Sequence, residues 1–367
     1  MTLGHRGRNP CPTRRYVDTM SDAATTSVPL VNRKRVLKQR PVGLLTDGDL
    51  AWEEEPLPDC AEGEALIEVL YLGMDATVRT WLNRGEGYLP AVEIGEVVRC
   101  SGIGRVIQSR CETIAVGDLA YGLPGWQTHA IVRDDLFTTR LPPDADVIPM
   151  MSIYGATGAT ALFGLTEIGQ AKAGETVVVS AAAGATGSLV GQIAKVLGCR
   201  VVGVVGSEDK ARFITEELGF DAAINQRTDD LTTALKEHCP DRVDVYFDNV
   251  GGAVLDAVLG ELNQHGRVAL CGAISVYNEQ GRPAGPANYM NLISRRGRME
   301  GFIALDWIGR FPESAMQLAT WVSEGKIKHF EHFFDGLDHA VDALNALFTG
   351  ANTGKVILRL DHTTLQP

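Results

Sequence analysis

The first residues whose types and spacing could do chemistry lie at Ser180 to Lys195, SAAAGATGSLVGQIAK, directly after the apolar run Thr176-Val177-Val178-Val179. Small residues between a strand and a helix let backbone N–H groups approach phosphate oxygens, and the helix turns its positive end toward them. Laid on the dinucleotide pattern GxGxxG, the turn reads Ala182-Ala183-Gly184-Ala185-Thr186-Gly187, with alanine in place of the first glycine. A tight packing turn that binds nothing is the alternative reading of the same residues. At the end of the next strand an NAD site places Asp or Glu on the ribose hydroxyls. This chain has Gly206-Ser207 there, followed by Lys210, whose ammonium suits a 2′-phosphate. NADP is therefore favoured over NAD. Ser207 is also a helix cap, which leaves Lys210 free, and Arg227 is a second candidate cation.

These residues need elements to hold them. After Tyr154 apolar strands alternate with amphipathic helices at βαβ intervals: 176–180, 200–205, 222–225, 243–249, 267–272 and 298–303. Six mostly apolar strands predict a parallel sheet covered on both faces, with a helix over 188–197 packed on it. The pattern predicts a second helix over 312–325, and the chain closes on a helix and a strand at 355–360. The stretch 278–297, rich in Gly, Pro and Asn, reads as a long functional loop. From Asn32 to Pro143 the pattern is different: short strands at 65–73, 102–109, 117–122 and 128–133 between Gly, Pro and Asp turns, which predicts a β-rich, barrel-like unit.

Composition narrows the function classes. At 367 residues and 45% hydrophobic the chain has material for two domains. A net charge of -12 argues against a nucleic-acid surface, so phosphate must be held locally. The seven cysteines contain no CxxC pair, which suits reduced thiols and a cytoplasmic location. The apolar runs read as strand-sized, short of the about 20 residues a membrane span requires, so no membrane partner is expected. Residues 1–20 carry four arginines and one acid without an apolar core, which excludes a secretory signal. They read as a disordered tail or as a translation start set ahead of Met20, with an organelle transit peptide as the alternative. No metal site is expected, since His329 and His332 form an HxxH without a third ligand nearby.

The stretches NRKRVLKQRPVG (32–43), VEIGEV (92–97), GATGATALFGLTEIG (155–169), VYFDNVGG (245–252), CGAISVYN (271–278) and ANTGK (351–355), with the phosphate turn, carry a resemblance across nearly the whole chain beyond Asn32. The chain resembles the zinc-independent reductases of the medium-chain dehydrogenase/reductase superfamily, in the prostaglandin and alkenal double-bond reductase group that includes bacterial curcumin reductases. The resemblance implies an α/β fold in which a Rossmann doubly wound parallel sheet is inserted into a GroES-like β-barrel catalytic domain. The segments would be an extension at 1–28, catalytic parts at 29–153 and 329–367, and the NADP-binding domain at 154–328. It implies a homodimer, and NADPH held by Thr160, the turn Gly184, Ala185, Thr186 and Gly187, Ser207, Lys210, Asn225 and Gln226. Asn249, the segment Cys271, Gly272, Ala273, Ile274, Ser275 and Tyr277, the segment Phe302, Ile303 and Ala304, and Asn352 would line the nicotinamide half.

Two departures stand out. Gln226 replaces a frequent tyrosine of the adenosine phosphate site, and Asp75-Ala76-Thr77-Val78-Arg79 replaces D-P-Y-M-R, removing an aromatic ring near the substrate. The implied reaction reduces the activated C=C bond of an enone or enal, with hydride to the β-carbon and a proton to the α-carbon, without zinc. The enolate oxygen then needs a donor placed beforehand. Tyr277 matches the family tyrosine at the nicotinamide ribose and substrate oxygen, and Tyr88 matches a tyrosine proposed as proton donor. Tyr289 in the long loop is a third phenol within possible reach. A quinone oxidoreductase, a zinc alcohol dehydrogenase and an NADPH-binding sensor without turnover are the alternatives.

Overall fold

The computed structural model describes residues 31–85, 87–281 and 283–360. The extension expected at 1–28 and the reading of residues 1–20 lie outside them.

The N-terminal half is built around one long strand. A hairpin of β1 (Val31–Leu37) and β2 (Leu50–Pro56) precedes β3 (Glu64–Met74), β4 (Ser101–Ser109), β5 (Leu119–Gly122), β6 (His129–Arg133) and β7 (Thr139–Leu141). At eleven residues, β3 pairs with β4 along one edge and holds β6 against its first half on the other. Its inward residues Ala65, Ile67, Val69 and Leu72 join Trp126, Leu358 and Leu344 in a single core.

The second sheet consists of β8 (Thr176–Ser180), β9 (Arg200–Val205), β10 (Ala222–Asn225), β11 (Val243–Asp248), β12 (Leu262–Leu270) and β13 (Arg298–Gly301). All pairings are parallel, in the order β10-β9-β8-β11-β12-β13. This is the doubly wound arrangement, with β8 and β11 flanking the point where strand order reverses. Alternation decides the two faces. Val177, Val179, Val201, Val245 and Phe247 pack into one layer, and Val178, Val202, Val204 and Tyr246 into the other. Burying each such side chain contributes about 1.5–3 kcal/mol.

The chain then returns to the first sheet. β14 (Glu331–Asp335) and β15 (Lys355–Arg359) pair in parallel, and β15 runs antiparallel to the last residues of β3. The Rossmann sheet is thus inserted into the barrel-like unit.

Three expectations need correction. The helical stretch Val147–Ile168 is long and apolar enough to cross a membrane by length and composition, although no apolar run of that size was expected. Most of it is buried in the fold, with π turns at Met150–Tyr154 and Gly164–Ile168, and its Gly and Thr residues break the apolar run in the sequence. The loop expected over 278–297 holds a 3-10 turn at Ala287–Met290 and a short helix at Asn291–Arg295. The strand expected at 267–272 begins at Leu262, its polar start Asn263-Gln264-His265 masking the pattern.

Candidate active site

A cleft of about 580 Å³ lies between the two sheets, at the C-terminal ends of β8, β9, β11 and β12. Open α/β sheets bind ligands at this edge.

The phosphate end is the turn after β8. Ala181 takes φ +48 and lets the chain reverse before Gly184, which stands extended ahead of the helix Ala185–Val196. Gly184 offers no capping side chain, so the first N–H groups of that helix face the cleft without a side-chain partner. A Cβ on Gly187 would sit 2.3 Å from the Ala181 carbonyl oxygen, so only glycine permits this close helix-to-turn packing. The turn is also held from the other half, as the Gly354 N–H donates to the Ala183 carbonyl at 2.8 Å.

Two cations border the adenosine end. Lys210 Nζ donates to the Gly350 carbonyl at 2.9 Å, and Arg227 Nη2 to the Thr349 carbonyl at 3.1 Å. Both carbonyls end the helix Ala340–Thr349 of the other half. Burial, with Arg227 nearby, pushes the Lys210 ammonium below its ordinary pKa. Placing two uncompensated cations together is costly unless an anion joins them.

Opposite them the loops after β11 and β12 are tied together. The buried Asp248 carboxylate accepts from Ser180 Oγ, Tyr246 Oη and the N–H groups of Val250 and Gly251. Its burial holds its pKa above the usual carboxylate range despite these donors. Asn249 donates from its side chain to the Ser180 carbonyl at 2.7 Å. The N–H groups of Cys271 and Gly272 both donate to the Asp248 carbonyl, and Ile274 to that of Asn249. The segment from Cys271 to Tyr277 is thereby fixed against the end of β11. The Tyr277 hydroxyl accepts from the Ala273 N–H at 3.1 Å. That bond uses a lone pair and leaves the O–H proton to donate. Burial raises its pKa and keeps the phenol protonated at neutral pH. The Cys271 thiol is pushed up to about 12 by burial, so it is a poor nucleophile toward an electrophilic substrate.

The barrel wall supplies the other face. Tyr88 Oη lies 2.5 Å from Thr77 Oγ1, and its ring meets the Trp81 ring edge-on. Desolvation pushes the Tyr88 phenol above its ordinary pKa. Asp75, Tyr121 and Lys355 line the same wall, with Lys355 Nζ donating to Asp75 Oδ1 at 2.5 Å. Asp75 and Lys355 stand in stretches compared above, but neither they nor Tyr121 was expected at the site.

Most expected positions line this cleft: Thr160, Gly184 to Gly187, Lys210, Gln226, Asn249, Cys271, Gly272, Ile274, Ser275, Tyr277, Phe302 to Ala304, Asn352 and Tyr88. Ser207, Asn225 and Ala273 lie off its wall. Ser207 is turned to the Lys210 N–H as a helix cap, and Asn225 to the Arg227 N–H. Ala273 contributes its N–H to Tyr277. Tyr289, 54% exposed, is also away from the cleft. His329 pairs with Glu331 at 2.6 Å while His332 lies against Phe334, and among the described residues no three His, Cys, Asp or Glu groups converge as metal ligands. The bare helix N-terminus, the close helix-to-turn packing at Gly187 and the paired cations together fit an NADP(H) phosphate set.

Comparison with known proteins agrees with this geometry. Residues 33–139 match the family described as the N-terminal domain of oxidoreductases, and residues 185–321 the one described as zinc-binding dehydrogenase. The chain is 38% identical to the NADPH-dependent curcumin reductase of Escherichia coli, over 90% of this chain and 97% of that one. It is 37% identical to bovine (Bos taurus) prostaglandin reductase 1, over 88% and 97%. The crystal structure of CurA from Vibrio vulnificus in complex with NADPH superposes with a TM-score of 0.85 at 37% identity, covering 90% of this chain and 99% of that one. The chain belongs to the medium-chain dehydrogenase/reductase superfamily, within the group of the curcumin and prostaglandin reductases.

Proposed function

We propose that this protein is an NADPH-dependent reductase of the activated C=C bond of α,β-unsaturated ketones or aldehydes. The observation that carries this reading is one cleft holding a bare helix N-terminus and the Lys210–Arg227 pair at one end, and the phenols of Tyr277 and Tyr88 at the other. The kinship with NADPH-dependent curcumin reductase supports the same chemistry.

Bound NADPH supplies the hydride for the β-carbon of the enone. The chain supplies the rest. The N–H groups of Ala185 to Gly187 hold the diphosphate, and Lys210 with Arg227 the 2′-phosphate. Asn249 and the Cys271–Tyr277 segment wall the nicotinamide half. The free O–H of Tyr277 donates to the carbonyl oxygen, where negative charge grows as the enolate forms. Tyr88, hydrogen-bonded to Thr77 on the opposite wall, delivers the proton to the α-carbon. These phenols perform the polarising role without a metal.

The cofactor half comprises residues 154–328, and the substrate half 29–153 with 329–367. The chain acts in the cytoplasm as a homodimer. Among the described residues β13 ends its sheet, and its outer edge offers a strand for pairing with a second copy. Purified protein offered NADPH with a linear enal, a linear enone, a diarylheptanoid dienone or a quinone tests the activity. Enone- or enal-dependent NADPH oxidation with a saturated carbonyl product is expected. Turnover with quinone alone, or binding without turnover, overturns the reading.

A further inference from the structure

Lys355 is 2% exposed, yet it lines the cleft. It follows Gly354, whose N–H is bonded to the phosphate turn at Ala183, so both halves of the molecule set its place. Its ammonium reaches Asp75 Oδ1 at 2.5 Å across 280 residues of chain. The Asp75 side chain is 42% exposed and opens into the cleft. Taking a lysine out of water to make such a pair is weak evidence for stability, because desolvation cancels much of the attraction. Its location beside the reacting groups points to function instead.

The charged and titratable neighbours are few. Asp75 faces Lys355, the phenols of Tyr88 and Tyr121, and the Cys100 thiol. Tyr88 faces Asp75 and Cys271, with Thr77 and Trp81 beside it and Tyr277 across the cleft. Among these groups the salt bridge is the one between Asp75 and Lys355.

We propose that Lys355 is a positioning residue of the reductase site, neutralising Asp75 so that no bare carboxylate opposes the negative charge growing on the substrate's carbonyl oxygen or holds back the Tyr88 proton. The inference rests on the reductase reading. Without the ammonium, the carboxylate repels the enolate and stabilises the protonated Tyr88, and both effects slow the reaction. Removing both charges restores neutrality, which a purely structural pair would not exploit.

The test compares the parent with Lys355→Met and with the double variant Lys355→Met/Asp75→Asn. Methionine keeps the apolar stem and asparagine the shape of the carboxylate. In Lys355→Met, kcat with an enone should fall about 10- to 100-fold, with KM for NADPH nearly unchanged. The near-ultraviolet tyrosinate titration, taken as the difference between each protein and its Tyr88→Phe counterpart, should show Tyr88 ionising at higher pH. The double variant should recover most of the rate and return the Tyr88 titration to its parental position. A double variant as slow as the single one, or a Tyr88 titration unmoved in Lys355→Met, would overturn the proposal. A parent that oxidises no NADPH with any enone refutes the reductase reading itself. The titration needs no turnover, so it still decides whether Lys355 sets the charge beside Tyr88.

Discussion

Lys210→Ala is expected to separate NADPH from NADH. The ammonium makes one described hydrogen bond, to the Gly350 carbonyl at 2.9 Å, and an ammonium has three donors, so two can meet a 2′-phosphate. A single attraction of this kind at about 4 Å is worth about 4 kcal/mol near a protein surface. Desolvation and the phosphate's lost hydration take back part of it, leaving a net charge-assisted bond of about 1.5–3 kcal/mol. NADPH affinity should therefore fall about 10- to 100-fold, while NADH, which lacks the phosphate, should change less than about twofold. Titrating the fluorescence of each reduced cofactor with parent and variant measures both constants. Arg227→Ala should act in the same direction, and raising the salt should narrow the difference between parent and variants. An equal loss for both cofactors would refute the phosphate assignment, as would no loss for either.

Further outcomes follow from the same contacts. Tyr277→Phe should lower kcat about 100-fold with little effect on NADPH affinity, because it removes a donor needed only as charge develops; unchanged turnover would remove Tyr277 from the mechanism. Gly187→Ala drives a Cβ to 2.3 Å from the Ala181 carbonyl oxygen, so it should lower the melting temperature and weaken NADPH at least about tenfold, the overpacking itself costing about 1–3 kcal/mol. His329 has its pKa raised, chiefly by the hydrogen bond to Glu331. Its stabilisation is fully present below the unfolded value of about 6.5 and is lost as pH rises through the folded pKa. Urea unfolding of parent and His329→Asn should therefore differ most near about pH 6 and converge by about pH 9; a gap that widens with pH would contradict the pairing.

The parts of the site that sequence made legible are those a local stretch of backbone builds. The strands at 176–180, 200–205 and 222–225 have their expected bounds because the Val runs of the first two stop at small residues, Ala181 and Gly206, and Gly219 with Asp221 sets off the third. Gly184 to Gly187 and Lys210 follow from their places at those strand ends, and Asn249 was expected from the resemblance. What stayed hidden is assembled across the chain. Lys355 and Asp75 are ordinary charged residues until β15 docks on the end of β3. Arg227 was expected as a second candidate cation, but not that the helix Ala340–Thr349 would bring a carbonyl to it. The loss of the expected aromatic ring at Thr77 was visible, but not that its hydroxyl would take up the Tyr88 phenol at 2.5 Å. Ser207 and Asn225 were expected at the cofactor for the opposite reason: their sequence places are right, and backbone N–H groups claim their side chains.

The central claim is hydride delivery to the β-carbon of an enone, and following isotope from cofactor to product tests it most directly. NADPH deuterated at the transferred position of C4 would be turned over with a linear enone and the product examined by NMR and mass spectrometry. The account predicts a saturated ketone with one deuterium on the β-carbon and a solvent proton on the α-carbon. Deuterium on the carbonyl carbon of an allylic alcohol would contradict it, as would NADPH consumption that occurs only with a quinone.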